Sequence, residues 1–287
     1  MEKYYCFAGV ELLIDIPDDK MYAEDRGLAP FRVNTVSDPH RFQFRIVDTL
    51  AEPEGEFLSL QPGFRVYRDG DREIRYIGSV AESWEHAYLR AAHQNREHRI
   101  QLRASQFPGR VSTSTVLTAL AAEHLVTEAG GVVFHSACVC HDGSAILFTA
   151  PSGTGKSTQA ELWRRLRGAE IMNGDRAVIR RMDGGVYACG LPFAGSSEFR
   201  ENYALPLAAV VYLQQAPVTS IRRLRGFEAF SRIWEGCSIN TWNPEDMART
   251  SEIVMEAAGT VPVYCLPCTP DESAVIALED MLREVRS

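Results

Sequence analysis

The chain has 287 residues, of which 45% are hydrophobic and 24% are charged, as in a soluble globular protein with one large domain or two small ones. Its 30 basic residues stand against 38 acidic ones, a formal net charge of −8, so no basic nucleic-acid-binding surface is expected. No apolar run approaches the roughly 20 residues that span a bilayer, and the N-terminus lacks a signal-peptide pattern. We therefore expect a cytoplasmic protein with no membrane or nucleic-acid partner.

The first hundred residues predict short strands and turns. Residues 5–15 are rich in apolar side chains, and residues 41–47 alternate between apolar and polar side chains. Asp69-Gly70 interrupts residues 64–76 with a strong hairpin signal. We predict a β-rich N-terminal module over residues 1–108.

The last part of this module mixes histidines with arginines. Residues 81–103 contain His86, His93 and His98 among four arginines. Such a mixture is typical of a solvated face, and contact with an acidic partner is the alternative.

From Ser112 the pattern changes to that of a helix, which stops at Gly130-Gly131, so a domain boundary is predicted near residues 104–112. A strand over residues 132–140 and a second over residues 145–149 are predicted next. A glycine-rich loop and a helix over residues 157–167 follow.

The second domain, residues 109–287, continues with strands and hairpins and ends in two helices. Residues 171–172, 177–181, 207–213 and 221–224 are typical of strands, and Asp183-Gly184-Gly185 is a turn signal. Helix starts are predicted at Asn243-Pro244 and at Thr269-Pro270, where a capping side chain, a proline and acidic residues come together. The fold class predicted is therefore mixed α/β.

The glycine-rich loop predicts a phosphate-binding site. It lies between a strand and a helix, where backbone N–H groups and the helix N-terminus can contact phosphate oxygens. Lys156 is one of only three lysines beside 27 arginines. Its ammonium would contact the β- and γ-phosphates of ATP, and the Ser157 hydroxyl would bind Mg²⁺. The residues expected to bind the nucleotide are Ser152, Gly153, Thr154, Gly155, Lys156, Ser157 and Thr158.

Two ionisable residues flank this loop at similar distances along the chain. His135 precedes Lys156 by 21 residues and Asp175 follows it by 19 residues. An acid that ends the strand after a phosphate-loop helix is placed to bind a metal ion. On adjacent strands, both side chains could reach the phosphate end of a nucleotide; an ordinary core histidine and a turn aspartate are the alternatives.

Together, His135, the loop, Asp175 and the hairpin-rich region after it resemble the HPr kinase/phosphorylase family and its serine-kinase-like relatives. The spacing of histidine, lysine and acid carries the resemblance, which covers roughly residues 112–270. It implies a nucleotide core similar to that of phosphoenolpyruvate carboxykinases, with ATP and Mg²⁺. It also implies that Asp175 is the catalytic base and a metal ligand, and that His135 supports it.

The sequence also departs from this family. Gly174-Asp175 stands where the family has an acidic pair, and the arginine- and glycine-rich segment linked to phosphorolysis and hexamers is not found. The chain looks more like smaller relatives that include kinases of a peptide's C-terminal serine. By this analogy, residues 190–197 form an acceptor-side loop, with Arg200 beside it for an anion; a plain surface loop is the alternative.

These features predict an ATP- and Mg²⁺-dependent kinase whose acceptor is a hydroxyl, such as serine in a peptide or protein or in a small molecule. The N-terminal module is the expected place of acceptor recognition. A nucleotide-binding regulatory module without transferase activity is the main alternative, and a decarboxylating carboxykinase is a third. A monomer and a homo-oligomer both stay open.

Overall fold

The structure, a computed structural model, describes residues 2–16, 27–78, 87–106, 113–195 and 197–286. It divides into two compact units, Met1–Ala122 and Glu123–Ser287. Helices and strands are both abundant, so the chain has the predicted mixed α/β fold. In the described ranges no helix is long and apolar enough to span a membrane.

The first unit contains a sheet in which nine strands are described. Its order is β3-β1-β2-β4-β9-β8-β7-β6-β5. The strands are β1 (Glu2–Phe7), β2 (Val10–Asp15), β3 (Arg32–Val33), β4 (His40–Val47), β5 (Glu56–Gln61), β6 (Phe64–Asp69), β7 (Arg72–Ile77), β8 (Leu89–Gln94) and β9 (Glu97–Arg103). The predicted hairpin at Asp69-Gly70 joins β6 to β7, and the β-rich character of this part of the chain is as predicted.

The histidines of the first unit differ from the prediction. His93 and His98 are buried in β8 and β9, so the expectation of a solvated face is wrong for them. The His98 ring stacks on Phe42, and its Nε2 lies 3.1 Å from Nδ1 of His40. Ring stacking and mutual hydrogen bonds compensate for the loss of water around these imidazoles. His86 lies outside the described residues.

The second unit is built on a mixed sheet. Its main path is β10-β14-β15-β16-β12-β11-β13, and β18 joins β16 to β17. The strands are β10 (Gly131–His135), β11 (Ala137–His141), β12 (Ser144–Thr149), β13 (Glu170–Asn173), β14 (Arg176–Met182), β15 (Gly185–Cys189), β16 (Ala204–Gln215), β17 (Arg222–Leu224) and β18 (Val263–Cys268). The turn predicted at residues 183–185 joins β14 to β15.

Helices cover both faces of this sheet. The α-helices in the described ranges are α1 (Thr113–Ala119), α2 (Ala122–Glu128), α3 (Lys156–Arg167), α4 (Gly226–Gly236), α5 (Pro244–Thr260) and α6 (Glu272–Arg286). Side chains of α4 and α5 pack into one apolar core, and side chains of α3 and α6 pack into another. Along β12, Leu147 enters the first core while Ile146 and Phe148 enter the second, as the alternation of a strand requires. The unit therefore has three layers.

Three element predictions need correction. The helix expected from Ser112 to Gly130 is two helices, because Ala121 has a positive φ of 52°. Ser112 itself lies outside the described residues. The strand expected over residues 132–140 is two strands, because β10 pairs with β14 whereas β11 pairs with β12 and β13. Helix α4 was not predicted.

The predicted helix start at Asn243-Pro244 is confirmed, whereas the start predicted at Thr269-Pro270 lies two residues later in the structure. The side chain of Asn243 accepts hydrogen bonds from the backbone N–H groups of Glu245 and Asp246, and Pro244 is the first residue of α5. Helix α6 begins at Glu272, two residues after Pro270.

Candidate functional site

The glycine loop connects the end of β12 to the start of α3. Gly153 and Gly155 have positive φ values of 77° and 120°, which an L side chain would strain. No side chain caps the N-terminus of α3 in the described part of the chain. The first N–H groups of the helix are therefore left for a ligand, and the helix dipole favours an anion there.

Lys156, the first residue of α3, is the buried cation of this loop. The residue is only 9% exposed, and its Nζ donates a hydrogen bond to the Ala150 carbonyl at 3.0 Å. Burial lowers the pKa of Lys156, and the charge of Asp175 opposes that shift. By contrast, Ser152, Ser157 and Thr158 are exposed. The loop thus combines one buried ammonium with accessible hydroxyls.

His135 and Asp175 face each other beside this loop. His135 ends β10 and is paired with Arg176, the first residue of β14, which brings its side chain to Asp175. The distance between His135 Nε2 and Asp175 Oδ1 is 3.3 Å. The hydrogen bond from His135 holds the pKa of Asp175 below its ordinary value; burial opposes this shift, and the charges of Arg176 and Lys156 add to it. Asp175 is therefore an ionised carboxylate at neutral pH.

Asn173 organises the turn that carries Asp175. Its buried Oδ1 accepts the backbone N–H groups of Asp175 and Arg176, each at 2.9 Å. Its Nδ2 donates to the carbonyls of Leu191 and Phe193 at 2.9 and 2.6 Å. One amide thus fixes the carboxylate turn and ties residues 190–195, the first part of the predicted acceptor-side loop, to it. Ser196 lies outside the described residues.

A cavity of about 550 Å³ opens next to the glycine loop. Apolar atoms form much of its wall, and the ends of β16 and β18 contribute to it together with the start of α3. Its lining residues are Gly153, Thr154, Gly155, Thr158, Gln159, Leu213, Gln215, Ala216, Pro217, Cys268 and Pro270. A cavity with apolar walls and a few polar groups is typical of a small-molecule site.

Sequence reasoning found part of this arrangement. The structure brings Lys156, His135 and Asp175 to one end of the sheet, together with the whole loop from Ser152 to Thr158. The sequence did not predict the role of Asn173 or the wall of the cavity that lies opposite the glycine loop. A signal for Asn173 existed, since Asn-Gly-Asp is a turn sequence in which asparagine bonds its own backbone. The wall gave no local signal, because its segments lie over 50 residues from the loop.

Gly195 offers a test of the contact between the acceptor-side loop and Asp175. Its φ is +53°, and an added Cβ would lie 2.9 Å from the carboxyl carbon of Asp175. We expect Gly195→Ala to displace the carboxylate and to reduce any activity that needs it, with a stability cost of about 1–3 kcal/mol. Thermal unfolding and activity assays measure the two effects.

Gly143→Ala is the matched control for this substitution. Gly143 also has a positive φ, +70°, but nothing lies within 4 Å of its added Cβ. It should show the same kind of stability loss without the loss of activity. Equal activity losses in the two variants would show that backbone strain, not contact with Asp175, is responsible.

Comparison with known proteins identifies the family. The family described as SynChlorMet cassette protein ScmC matches residues 109–270. The match covers more than half of the chain, which therefore belongs to this family. No curated protein matches the chain.

Among solved structures, the chain is similar to the Hpr(Ser) kinase/phosphatase from Coxiella burnetii. The two are 12% identical, and the match covers 54% of this chain and 90% of that chain with a TM-score of 0.33. A likeness of this size establishes neither a shared fold nor a shared activity.

Proposed function

We propose that the protein is an ATP- and Mg²⁺-dependent kinase that transfers the γ-phosphoryl group to a hydroxyl. The observation that carries this proposal is the position of Lys156. It is a buried ammonium behind a glycine loop, and it interacts electrostatically with the Asp175 carboxylate that His135 contacts. A cation for phosphate next to an ionised acid for a hydroxyl is the minimum that phosphoryl transfer requires.

The phosphates of ATP would bind to the glycine loop. The N–H groups of α3 and the Lys156 ammonium are the donors available there, and both suit phosphate oxygens. The neighbouring cavity supports a nucleoside, since about 550 Å³ is within the range of small-molecule sites and its walls are partly apolar. The loop would therefore be the phosphate-binding loop of a nucleotide core.

The donor groups present fit Mg²⁺ that is shared with a nucleotide. Ser157 offers an exposed hydroxyl and Asp175 an ionised carboxylate, and Mg²⁺ prefers oxygen ligands. No cluster of three or more His, Cys, Asp or Glu side chains suited to a metal occurs in the described ranges. Such sites complete the coordination of Mg²⁺ with phosphates and water. When bound, Mg²⁺ would neutralise phosphate charge.

Asp175 would orient the acceptor hydroxyl and take its proton. Its low pKa makes it a weak base, so proton transfer would come late, when the bond from oxygen to phosphorus is already forming. His135 would hold the carboxylate in place. Most of the catalytic effect would come from positioning and from the charge of Lys156.

For the acceptor we propose a chemical class and not a particular molecule. We propose serine in a peptide, a protein or a small molecule, and we assign its recognition to the β-rich first part of the chain, residues 1–108. Cytoplasmic location is part of the same proposal, with ATP and the acceptor as partners and with the oligomeric state open. Every residue proposed to bind the nucleotide comes after residue 130 in the sequence.

A nucleotide-dependent regulatory module is the second candidate. The observation that favours it is Gly174, which leaves Asp175 as the single acid of its turn. Gly174 also lies against Ser197, since an added Cβ on Gly174 would be 2.3 Å from Ser197 Oγ. The turn therefore leaves little space for a second acidic side chain. Such a module would bind ATP and form no phosphate ester.

The experiment that tests the proposed function follows the labelled γ-phosphate of ATP. The full chain is mixed with ATP, Mg²⁺ and a panel of serine peptides, free serine and other hydroxyl compounds. We expect ADP and a labelled ester in equal amounts, and no ester after Mg²⁺ is chelated. Bound ATP with no ester on any acceptor would favour the regulatory module.

A pH dependence follows from the pairing of His135 and Asp175. Because the pKa of Asp175 is lowered, its carboxylate stays ionised as the pH falls and is protonated only below its ordinary value of about 3.9. Removing the hydrogen bond with His135→Ala should raise the pKa of Asp175 toward that value. Carbon-13 NMR of the carboxyl group measures this.

His141→Ala is the control for this titration. His141 lies at the other end of β11 and pairs with Asp142, so its loss should leave the pKa of Asp175 unchanged. If His135→Ala also leaves that pKa unchanged, the pair is not coupled as the geometry indicates.

A further inference from the structure

The segment of residues 190–195 returns to the turn that carries Asp175, and Ser197 lies against the same turn. Asn173 ties Leu191 and Phe193 to this turn, and Gly195 lies against the carboxylate. The Arg176 guanidinium adds a further link, since its Cζ lies 5.6 Å from the centre of the Phe193 ring while its Nε lies 3.3 Å from Asp175 Oδ2. The segment is thus held at the candidate base from several directions.

A serine hydroxyl lies against the turn that carries the candidate base. An ideal Cβ on Gly174 would lie 2.3 Å from Ser197 Oγ, so the hydroxyl lies directly against the residue that precedes Asp175. The backbone N–H of Ser197 donates to the Ala194 carbonyl at 2.8 Å, which closes a turn. Ser197 Oγ accepts the Phe199 N–H at 3.2 Å, which leaves its own proton available to a base.

The surroundings of Ser197 suit a phosphate ester. Arg176 Nε lies 3.3 Å from Asp175 Oδ2, and the charges of Arg176 and Lys156 both lower the pKa of Asp175, so two positive charges lie near that carboxylate. Ser197 is half-buried, so a polar group attached to it could reach water. Cations near a phosphate stabilise it by charge-assisted hydrogen bonds.

We propose that Ser197 is itself a phosphoryl acceptor, phosphorylated within its own molecule when no external acceptor is bound. The inference rests on the proposed kinase function. A bond would form between Ser197 Oγ and the γ-phosphorus of ATP, and the bond from that phosphorus to the β,γ-bridging oxygen would break. ADP would leave with the electron pair, and the hydroxyl proton would pass to Asp175 and then to water.

If Ser197 occupies the acceptor position, an external hydroxyl has to compete with it for Asp175. A chain that already carries phosphate on Ser197 should then transfer phosphate to other hydroxyls more slowly. Ser197→Ala should keep ATP binding, because the hydroxyl of Ser197 has no role in binding ATP.

The test uses the full chain with ATP and Mg²⁺ and without any external acceptor. Intact-mass spectrometry should show the mass of one added phosphoryl group, and fragmentation should locate it on Ser197. The fraction modified per unit time should not change with protein concentration, because the transfer is intramolecular. ATP binding and ADP formation are measured in the same samples.

Variants make this test specific. Ser197→Ala should lose the added mass, Ser197→Thr should retain some of it, and Lys156→Ala should lose it together with ADP formation. Ser144→Ala, at the start of β12, is the matched serine control. It should gain the same mass as the chain with the original sequence. Melting temperatures show whether Ser197→Ala is folded.

The failures of the two proposals are distinguishable. Bound ATP with transfer to an external hydroxyl but no phosphate on Ser197 would overturn the inference and leave the kinase function. Phosphate on another residue, or a rate that rises with protein concentration, would also overturn it. A chain that neither binds nor turns over ATP would overturn both proposals.

Discussion

Lys156→Ala should reduce ATP turnover by about 10²–10³-fold without unfolding the protein. The ammonium is buried behind the glycine loop, and its only protein hydrogen bond in the described structure is to the Ala150 carbonyl. Its removal therefore costs the fold little, whereas the phosphates would lose their nearest cation. Calorimetric ATP titration, turnover assays and melting temperatures separate the two effects.

Two further variants sharpen this result. Lys156→Arg should also fail, because a planar guanidinium cannot replace a compact ammonium in a tight loop. Arg164→Ala is the matched control, since Arg164 is an exposed cation of the same helix that pairs with Glu161. Unchanged turnover of Lys156→Ala at limiting and saturating ATP would contradict the phosphate-binding loop.

Asp175→Asn should abolish phosphoryl transfer and leave ATP binding within about tenfold of the original affinity. The amide keeps the size of the carboxylate, but it can neither accept the hydroxyl proton nor neutralise Mg²⁺ well. His135→Ala should lower the rate less, because it removes a supporting hydrogen bond and leaves the base in place. Single-turnover transfer and ATP titration of both variants measure the order of severity.

A second histidine–aspartate pair provides the control for Asp175→Asn. His141 and Asp142 lie at the hairpin between β11 and β12, with 3.6 Å between Nε2 and Oδ2. Asp142→Asn should leave transfer unchanged. If His135→Ala is the more damaging variant and Asp175→Asn keeps near-native turnover, the histidine is the base. If neither His135→Ala nor Asp175→Asn alters phosphoryl transfer, only the glycine loop remains part of the proposed site.

The sequence predicted local structure well where a short motif has a strong conformational preference. Asp69-Gly70 determined a hairpin, and Asn243-Pro244 determined a helix start, because turn and cap preferences act over a few residues. The break at Ala121 was missed, since alanine rarely adopts positive φ and the apolar spacing continues through it. Helix α4 has apolar side chains at helical spacing, with Ala229 and Ile233 buried, so its sequence does carry a helical pattern.

The parts of the candidate site that follow from local sequence patterns were predictable, but the contacts between distant segments were not. The loop at Lys156, with His135 and Asp175 at similar separations, indicated which strand ends would meet. The rest depends on contacts between distant parts of the chain. Gly195 lies against Asp175, and Asn173 binds two carbonyls about 20 residues later in the chain. The burial of His93 and His98 likewise depends on pairing between strands, which polar composition does not reveal.

Isotope transfer from ATP tests the proposed kinase activity most directly. ATP with three ¹⁸O atoms on its γ-phosphorus is incubated with the full chain, Mg²⁺ and the hydroxyl panel, and the products are analysed by mass spectrometry. We expect a phosphate ester that retains all three ¹⁸O atoms, formed in step with ADP and lost in Asp175→Asn. Bound ATP that yields only inorganic phosphate, or no product with any acceptor, would contradict phosphoryl transfer to a hydroxyl.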